Sequence, residues 1–164
     1  LSKLIKKKPM IKVDVLVNNR EWNEYISNPN IYLKNKLKKA EKTINILKNN
    51  KLNFTILLSG NNEIKKLNKK FREKNKTTDI LSFPFHEKKK LQKLIKSKKN
   101  TIYLGDIIIN LNKINKKSEK SVFSEYFDKI WIHGLTHLLG HCHKSNRDFV
   151  IMQKLERKII KSIQ

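Results

Sequence analysis

The chain has 164 residues, 38% of them hydrophobic, and a formal charge of +24 from 38 basic and 14 acidic side chains. Its length fits one domain over residues 1–164, with about 70% of the unfolded chain's surface buried on folding. No apolar run approaches the roughly 18 residues of a membrane span, and one cysteine, Cys142, excludes an internal disulfide and fits a reducing compartment.

The basic opening stretch, LSKLIKKKPMIKVDVLV, alternates like a strand and lacks a small-residue cleavage site, which argues against a secretory signal. It begins at Leu1 rather than methionine, so a fragment or a processed form is expected. Val13, Val15 and Val17 share one face of a strand over 11–17. After a loop around Asn28-Pro29-Asn30, Leu33, Leu37, Ala40, Ile44 and Leu47 recur at helical spacing. Leu52, Phe54, Ile56 and Leu58 alternate as a second strand that ends at Ser59-Gly60. Ile64, Leu67 and Phe71 mark a short helix, with Asn61 or Asn62 as its cap. Residues 79–85, DILSFPF, read as a third strand with Pro84 near its end. The lysine-rich stretch 87–100 shows little periodicity beyond Leu91, Leu94 and Ile95 and reads as a mobile, solvated excursion. Residues 102–109, IYLGDIII, form a fourth strand buried on both faces, with Gly105 at a bulge or close approach. Val122, Tyr126, Ile130 and His133 to His137 lie on one long helix. Phe149, Met152, Leu155, Ile159 and Ile163 lie on a last one capped at Ser145 or Asn146. The expected fold is α+β: a small mixed four-stranded sheet packed with helices, with the site on the long helix and the turn after it.

That site is the run HGLTHLLGHCH, residues 133–143, which holds four of the five histidines. His133 and His137 project from one helix face a turn apart, and Gly140 is free to take positive φ and end the helix. The chain then returns His143 towards the same point, giving three imidazoles with an open position, the layout of a catalytic zinc. The spacing is that of the metzincin proteases, except that Gly134 stands where their glutamate base would be. The ligands of a metallohydrolase are thus present without a peptidase's base. A helix end capped by exposed histidines is the plainer alternative. His141, four residues from His137, competes with His143 only if the helix runs past Gly140. Cys142 is either a small half-buried residue or a further thiolate ligand.

The charge points to a polyanion, RNA or DNA, held in a salt-dependent way. A Lys-Asn-Ile bias of nucleotide composition produces the same excess. A membrane surface is the competing polyanion, but no basic amphipathic helix with an aromatic face stands out. Arg72 is one of four arginines among many lysines, and its planar fork suits a phosphate near a metal. A surface arginine favoured by a helix C-terminus fits equally well. Thr78 and Asp79 read as turn-pinning groups, and Ser82 as locally bonded or aimed at substrate. Asp106 reads as a paired residue and a candidate support for a ligand histidine, and Trp131 as core.

The order of Leu67-Asn68 through Phe71-Arg72, TTDILSFP (77–84), LGDIIIN (104–110) and HGLTHLLGHCH (133–143), with Met152 and Glu156 beyond, resembles the YbeY family. The resemblance covers most of the chain from about residue 10 onward. It implies a single-strand-specific, zinc-dependent endoribonuclease that matures the 3′ end of small-subunit rRNA and serves ribosome quality control. It further implies one zinc ion on His133, His137 and His143, with Arg72 important for activity. The partners implied are rRNA precursor and the ribosomal subunit, in a bacterial cytosol or an organelle matrix. Two positions depart from the family pattern: Cys142 replaces a usual aspartate, and His141 a common tyrosine. Two other readings of the same residues are a zincin-like peptidase or amidase, and a non-catalytic ribosome assembly factor stabilised by zinc. Nickel or copper would also suit three imidazoles.

Overall fold

The alternating segments pair into one mixed sheet in the computed structural model, which describes residues 10–44, 50–97, 101–114 and 119–164. Strand β1 (Ile11–Val17) runs parallel to β2 (Lys51–Ser59). Strand β3 (Ile80–Pro84) lies antiparallel at one edge, against β4 (Thr101–Asn110), which is itself parallel to β2. The spatial order is therefore β1-β2-β4-β3. The four expected strands all form, within one or two residues of their expected ends.

Six helices cover the sheet among the described residues. A short α1 (Trp22–Tyr25), not anticipated from periodicity, inserts Trp22 fully into the core against Phe123 and Phe127, its indole Nε1 donating to the Ser59 carbonyl at 3.0 Å. Helix α2 (Pro29–Ala40) begins where a loop was expected. Asn28 caps it by accepting from the Ile31 N–H at 3.0 Å, and Pro29 takes the first position, where its missing N–H costs nothing. Leu47, assigned to this helix from spacing, lies outside the described residues.

Helix α3 (Asn61–Arg72) packs on the opposite sheet face, Ile64 meeting Leu81 and Ile108. Neither expected asparagine caps it; extended Gly60 takes the cap position, and the Asn61 N–H is satisfied by Asn112 Oδ1 at 3.1 Å. The expected lysine-rich excursion is in fact helix α4 (Lys88–Lys96). Leu91 is buried and Leu94 and Ile95 pack on the core, so three apolar residues at i, i+3 and i+4 suffice to seat it. In β4, Leu104 and Gly105 together face Phe54, a bulge as expected at that glycine. Gly105 has φ 131°, and a Cβ there would overlap the Phe83 carbonyl.

Helix α5 (Lys120–Leu138) and helix α6 (Asn146–Ile163) complete the main core with α2. On α5 the inward positions are Phe123, Phe127, Ile130 and Trp131; Val122 and Tyr126 face solvent. Asp128, 7% exposed, ties α5 to α2. It accepts from Trp131 Nε1 at 2.9 Å and from the Tyr32 hydroxyl at 3.0 Å, and pairs with Lys36 Nζ at 2.9 Å. Burial, then the Asp128 charge, push the Tyr32 hydroxyl above its ordinary range.

A three-histidine candidate metal centre

The last turn of α5 fixes the site. Helix α5 ends at Leu138, and Gly140 takes φ 87°. The Gly140 N–H bonds the His137 carbonyl at 3.0 Å and the His141 N–H bonds the Thr136 carbonyl at 3.1 Å, the paired bonds of a Schellman ending. The helix stops at the glycine as expected, and the chain reverses to bring His143 beside the helical pair. One nitrogen from each of His133, His137 and His143 lies within 4.8 Å of the other two. Among the described residues no other such group of possible metal ligands occurs, and Cys142 and His141 stand outside it.

The nitrogens turned away from the centre are both engaged. His133 Nδ1 meets Glu156 Oε1 at 2.8 Å, and His137 Nδ1 meets the His141 carbonyl at 3.1 Å. A carbonyl only accepts, so His137 carries its proton on Nδ1, and the carboxylate favours the same tautomer of His133. The two Nε2 atoms therefore face each other at 3.1 Å as lone pairs. Unscreened lone pairs at that separation repel, whereas two ligands of one tetrahedral zinc stand at about this distance. The donor set fits a metal ion.

Glu156 was not assigned a role from sequence. It sits on α6 in line with Met152, Ile159 and Ile163, and an acid on an otherwise apolar stripe is the signal that would have found it. Ser145 aims that helix by accepting from the Asp148 N–H at 3.1 Å. Thr136, fully buried, donates to the His133 carbonyl at 2.7 Å and reaches Glu156 Oε1 at 3.3 Å. Burial first, then the neighbouring His133, lower the His137 imidazole below its ordinary range, so the neutral ligand form prevails at neutral pH. His141 is lowered by burial and by Lys88. The Asp148 carboxyl is held below its usual range chiefly by the Ser145 hydroxyl, with the Cys142 thiol contributing.

Gly134 is more than a missing base. A Cβ there would lie 2.9 Å from Ile107 Cδ1 and Cγ2 and from Ile80 Cδ1, so a larger residue would require these isoleucines of β3 and β4 to shift.

Asp106 does not support a histidine. It is exposed on the α3 side of the sheet, takes the Tyr103 hydroxyl at 2.5 Å, and lines a groove with Thr55, Leu67 and Phe83. The adjacent Ile107 carries the α5 side, so strand alternation turns Asp106 away and Glu156 occupies the supporting position instead. Trp131 is core, fully buried.

Arg72 is the last residue of α3. Its guanidinium donates to the Ser82 carbonyl at 3.2 Å and lies over the Phe83 ring at 5.9 Å. Inter-strand bonds are made at Asp79 and Phe85, so the intervening even-numbered carbonyls of β3 point to its free edge, where Arg72 meets them. Asp79 pins the turn as expected, accepting from the Ile80 N–H at 2.9 Å and the Thr78 hydroxyl at 3.0 Å.

Fold and site together define an α+β protein with a zincin-like histidine cluster and a glycine where the peptidase base would stand. The family described as Endoribonuclease YbeY matches residues 16–164. The chain is 43% identical over 157 residues to an endoribonuclease YbeY of Pelagibacter ubique, covering 94% of this chain and 97% of that protein. It is 41% identical over 139 residues to one from Buchnera aphidicola, covering 84% of each. The solution structure of TM1509 from Thermotoga maritima shares the fold at a TM-score of 0.56 and 20% identity, over 94% of this chain and 89% of that one. The chain belongs to the YbeY family of endoribonucleases.

Proposed function

We propose that this chain is a metal-dependent endoribonuclease acting on single-stranded RNA in rRNA maturation, at the 3′ end of the small-subunit precursor, with a role in ribosome quality control. It works as one domain, in the bacterial cytosol or an organelle matrix. The observation that carries the reading is the pair of Nε2 lone pairs 3.1 Å apart beside His143, in a chain of this family. His133, His137 and His143 would hold one ion, zinc by donor type and number. When bound, it supplies a Lewis acid that polarises a phosphoryl oxygen and makes water nucleophilic at neutral pH. Glu156 and the His141 carbonyl keep both helical imidazoles in the ligand tautomer. Arg72 presents a planar fork to the phosphate as its negative charge rises, and the lysine surface holds the backbone. No helix among the described residues is long and apolar enough to cross a membrane.

The test is cleavage of an RNA carrying an unprocessed small-subunit rRNA 3′ end, wild type beside His137→Ala from identical purifications. Cutting by wild type alone, with metal in wild type alone, is expected. Equal cutting by both would remove the histidine centre from the reaction. Cyclic-phosphate product ends would assign the attack to the RNA 2′-hydroxyl rather than to water. If neither cuts while wild type carries zinc, the assembly-factor reading takes its place. Gly134, which offers no side chain to take a proton, weighs against a peptidase.

A further inference from the structure

A second concavity, away from the histidines, opens at the carboxyl ends of the parallel strands. Its volume is about 470 Å³, within the range of small-ligand pockets. Asn18 and Asn19 follow β1, Ser59 ends β2 with Gly60 to Glu63 leading into α3, and Asn112 follows β4. The chain leaves β1 towards α2 on one sheet face and leaves β2 towards α3 on the other. Adjacent strands whose connections part in this way make a switch point, where open α/β sheets take their ligands.

The chemistry of the wall narrows the ligand. On a chain of charge +24, the lining carries no lysine or arginine and one acid, Glu63. A phosphate would meet that carboxylate with no cation to offset it. The rest are five asparagines, a serine and Gly60, and the six polar side chains offer donors and acceptors alike. Ser59 is 1% exposed, and its carbonyl takes the Trp22 indole. Asn112 is held from behind, its N–H donating to Asn110 Oδ1 at 3.1 Å, and its Oδ1 takes the Asn61 N–H. Amides and a hydroxyl with no cation among them suit a neutral planar group with hydrogen-bonding edges.

We infer that this pocket binds a nucleobase of single-stranded RNA. The inference rests on the nuclease reading for its choice of ligand and deepens it: the pocket is a base subsite remote from the cut. Phe123 of α5 packs on Trp22 beneath it, and His137 lies fourteen residues further along the same helix, so roughly 20 Å separates the two. The scissile phosphate and the bound base belong to nucleotides several positions apart.

The test uses full-length protein and four probes, adenosine, guanosine, cytidine and uridine, with inorganic phosphate as a fifth. Side-chain amide NMR signals of Asn18, Asn19, Asn61, Asn62 and Asn112 are followed through each titration. At least one nucleoside should give saturable shifts confined to these amides. Ser59→Ala should weaken it at least about threefold, by loss of one hydrogen bond. Asn112→Asp, which keeps the acceptor for Asn61 and removes the amide donors, should weaken it further while the remaining spectrum is unchanged. No saturable shift, shifts located elsewhere, or equal shifts from phosphate would overturn the inference. Nucleoside binding needs no cleavage, so the two readings fail separately. Binding without any RNA cutting sinks the nuclease and keeps the pocket, and cutting without binding does the reverse.

Discussion

Glu156 determines which nitrogen His133 offers to an ion. Its carboxylate keeps the imidazole proton on Nδ1 and leaves Nε2 bare. Glu156→Gln retains shape and loses the charge, so metal affinity should fall by about 10–100-fold with the fold intact, read by competition against a chromophoric chelator. Protons act on the same atoms. Burial lowers His137 below the ordinary histidine range. A depressed folded value means that the folded state favours the neutral ring, so this contribution to stability is present above the ordinary value and lost as pH falls through the folded one. Metal binding needs the neutral ring too. Metal should therefore be retained at neutral pH and released, with a falling melting temperature, only below the ordinary histidine range; calorimetry with metal analysis across that window checks both.

The elements were legible wherever a periodicity lasted long enough. All four strands and the two long C-terminal helices follow from alternation or helical spacing, and Gly140 and Gly105 announced their backbone roles. Helix α4 was missed because three apolar residues among lysines look like a solvated run until a core is there to receive them. The site was legible for a related reason: its three candidate ligands fall within eleven consecutive residues, whereas the supporting acid comes from another helix. Asp106 misled because a carboxylate beside a glycine in an apolar strand does not say which face it takes. Between elements, Asp128 is the polar joint of α2 and α5, gathering a hydroxyl, an ammonium and an indole. Asp128→Ala strands all three and should cost about 3–5 kcal/mol, while Asp128→Asn, which keeps an acceptor, should cost less; urea denaturation of the pair measures the difference.

On the scale of the molecule the dominant fact is charge, +24 over 164 residues. Such a surface gathers RNA before any base is read, and it does so by displacing counterions. Engagement of about six phosphates or more would cost roughly 10³-fold or more in RNA affinity between 50 and 200 mM salt. Fluorescence anisotropy over that range gives the slope, and a flat one would mean that the lysines are bystanders. Cleavage rates at saturating RNA should change far less, because the proposed chemistry lies in the histidine centre and not in the field.

Arg72 belongs to both scales. Strand β3 is an edge of the sheet, and an edge with outward carbonyls is a template on which a second sheet can grow. A guanidinium laid across the Ser82 carbonyl blocks that template with a positive charge. The residue proposed to hold a phosphate thus also stands as a gatekeeper against aggregation. Arg72→Ala removes both at once, so its lost activity has meaning only beside a sedimentation measurement showing that the protein stays in its original oligomeric state.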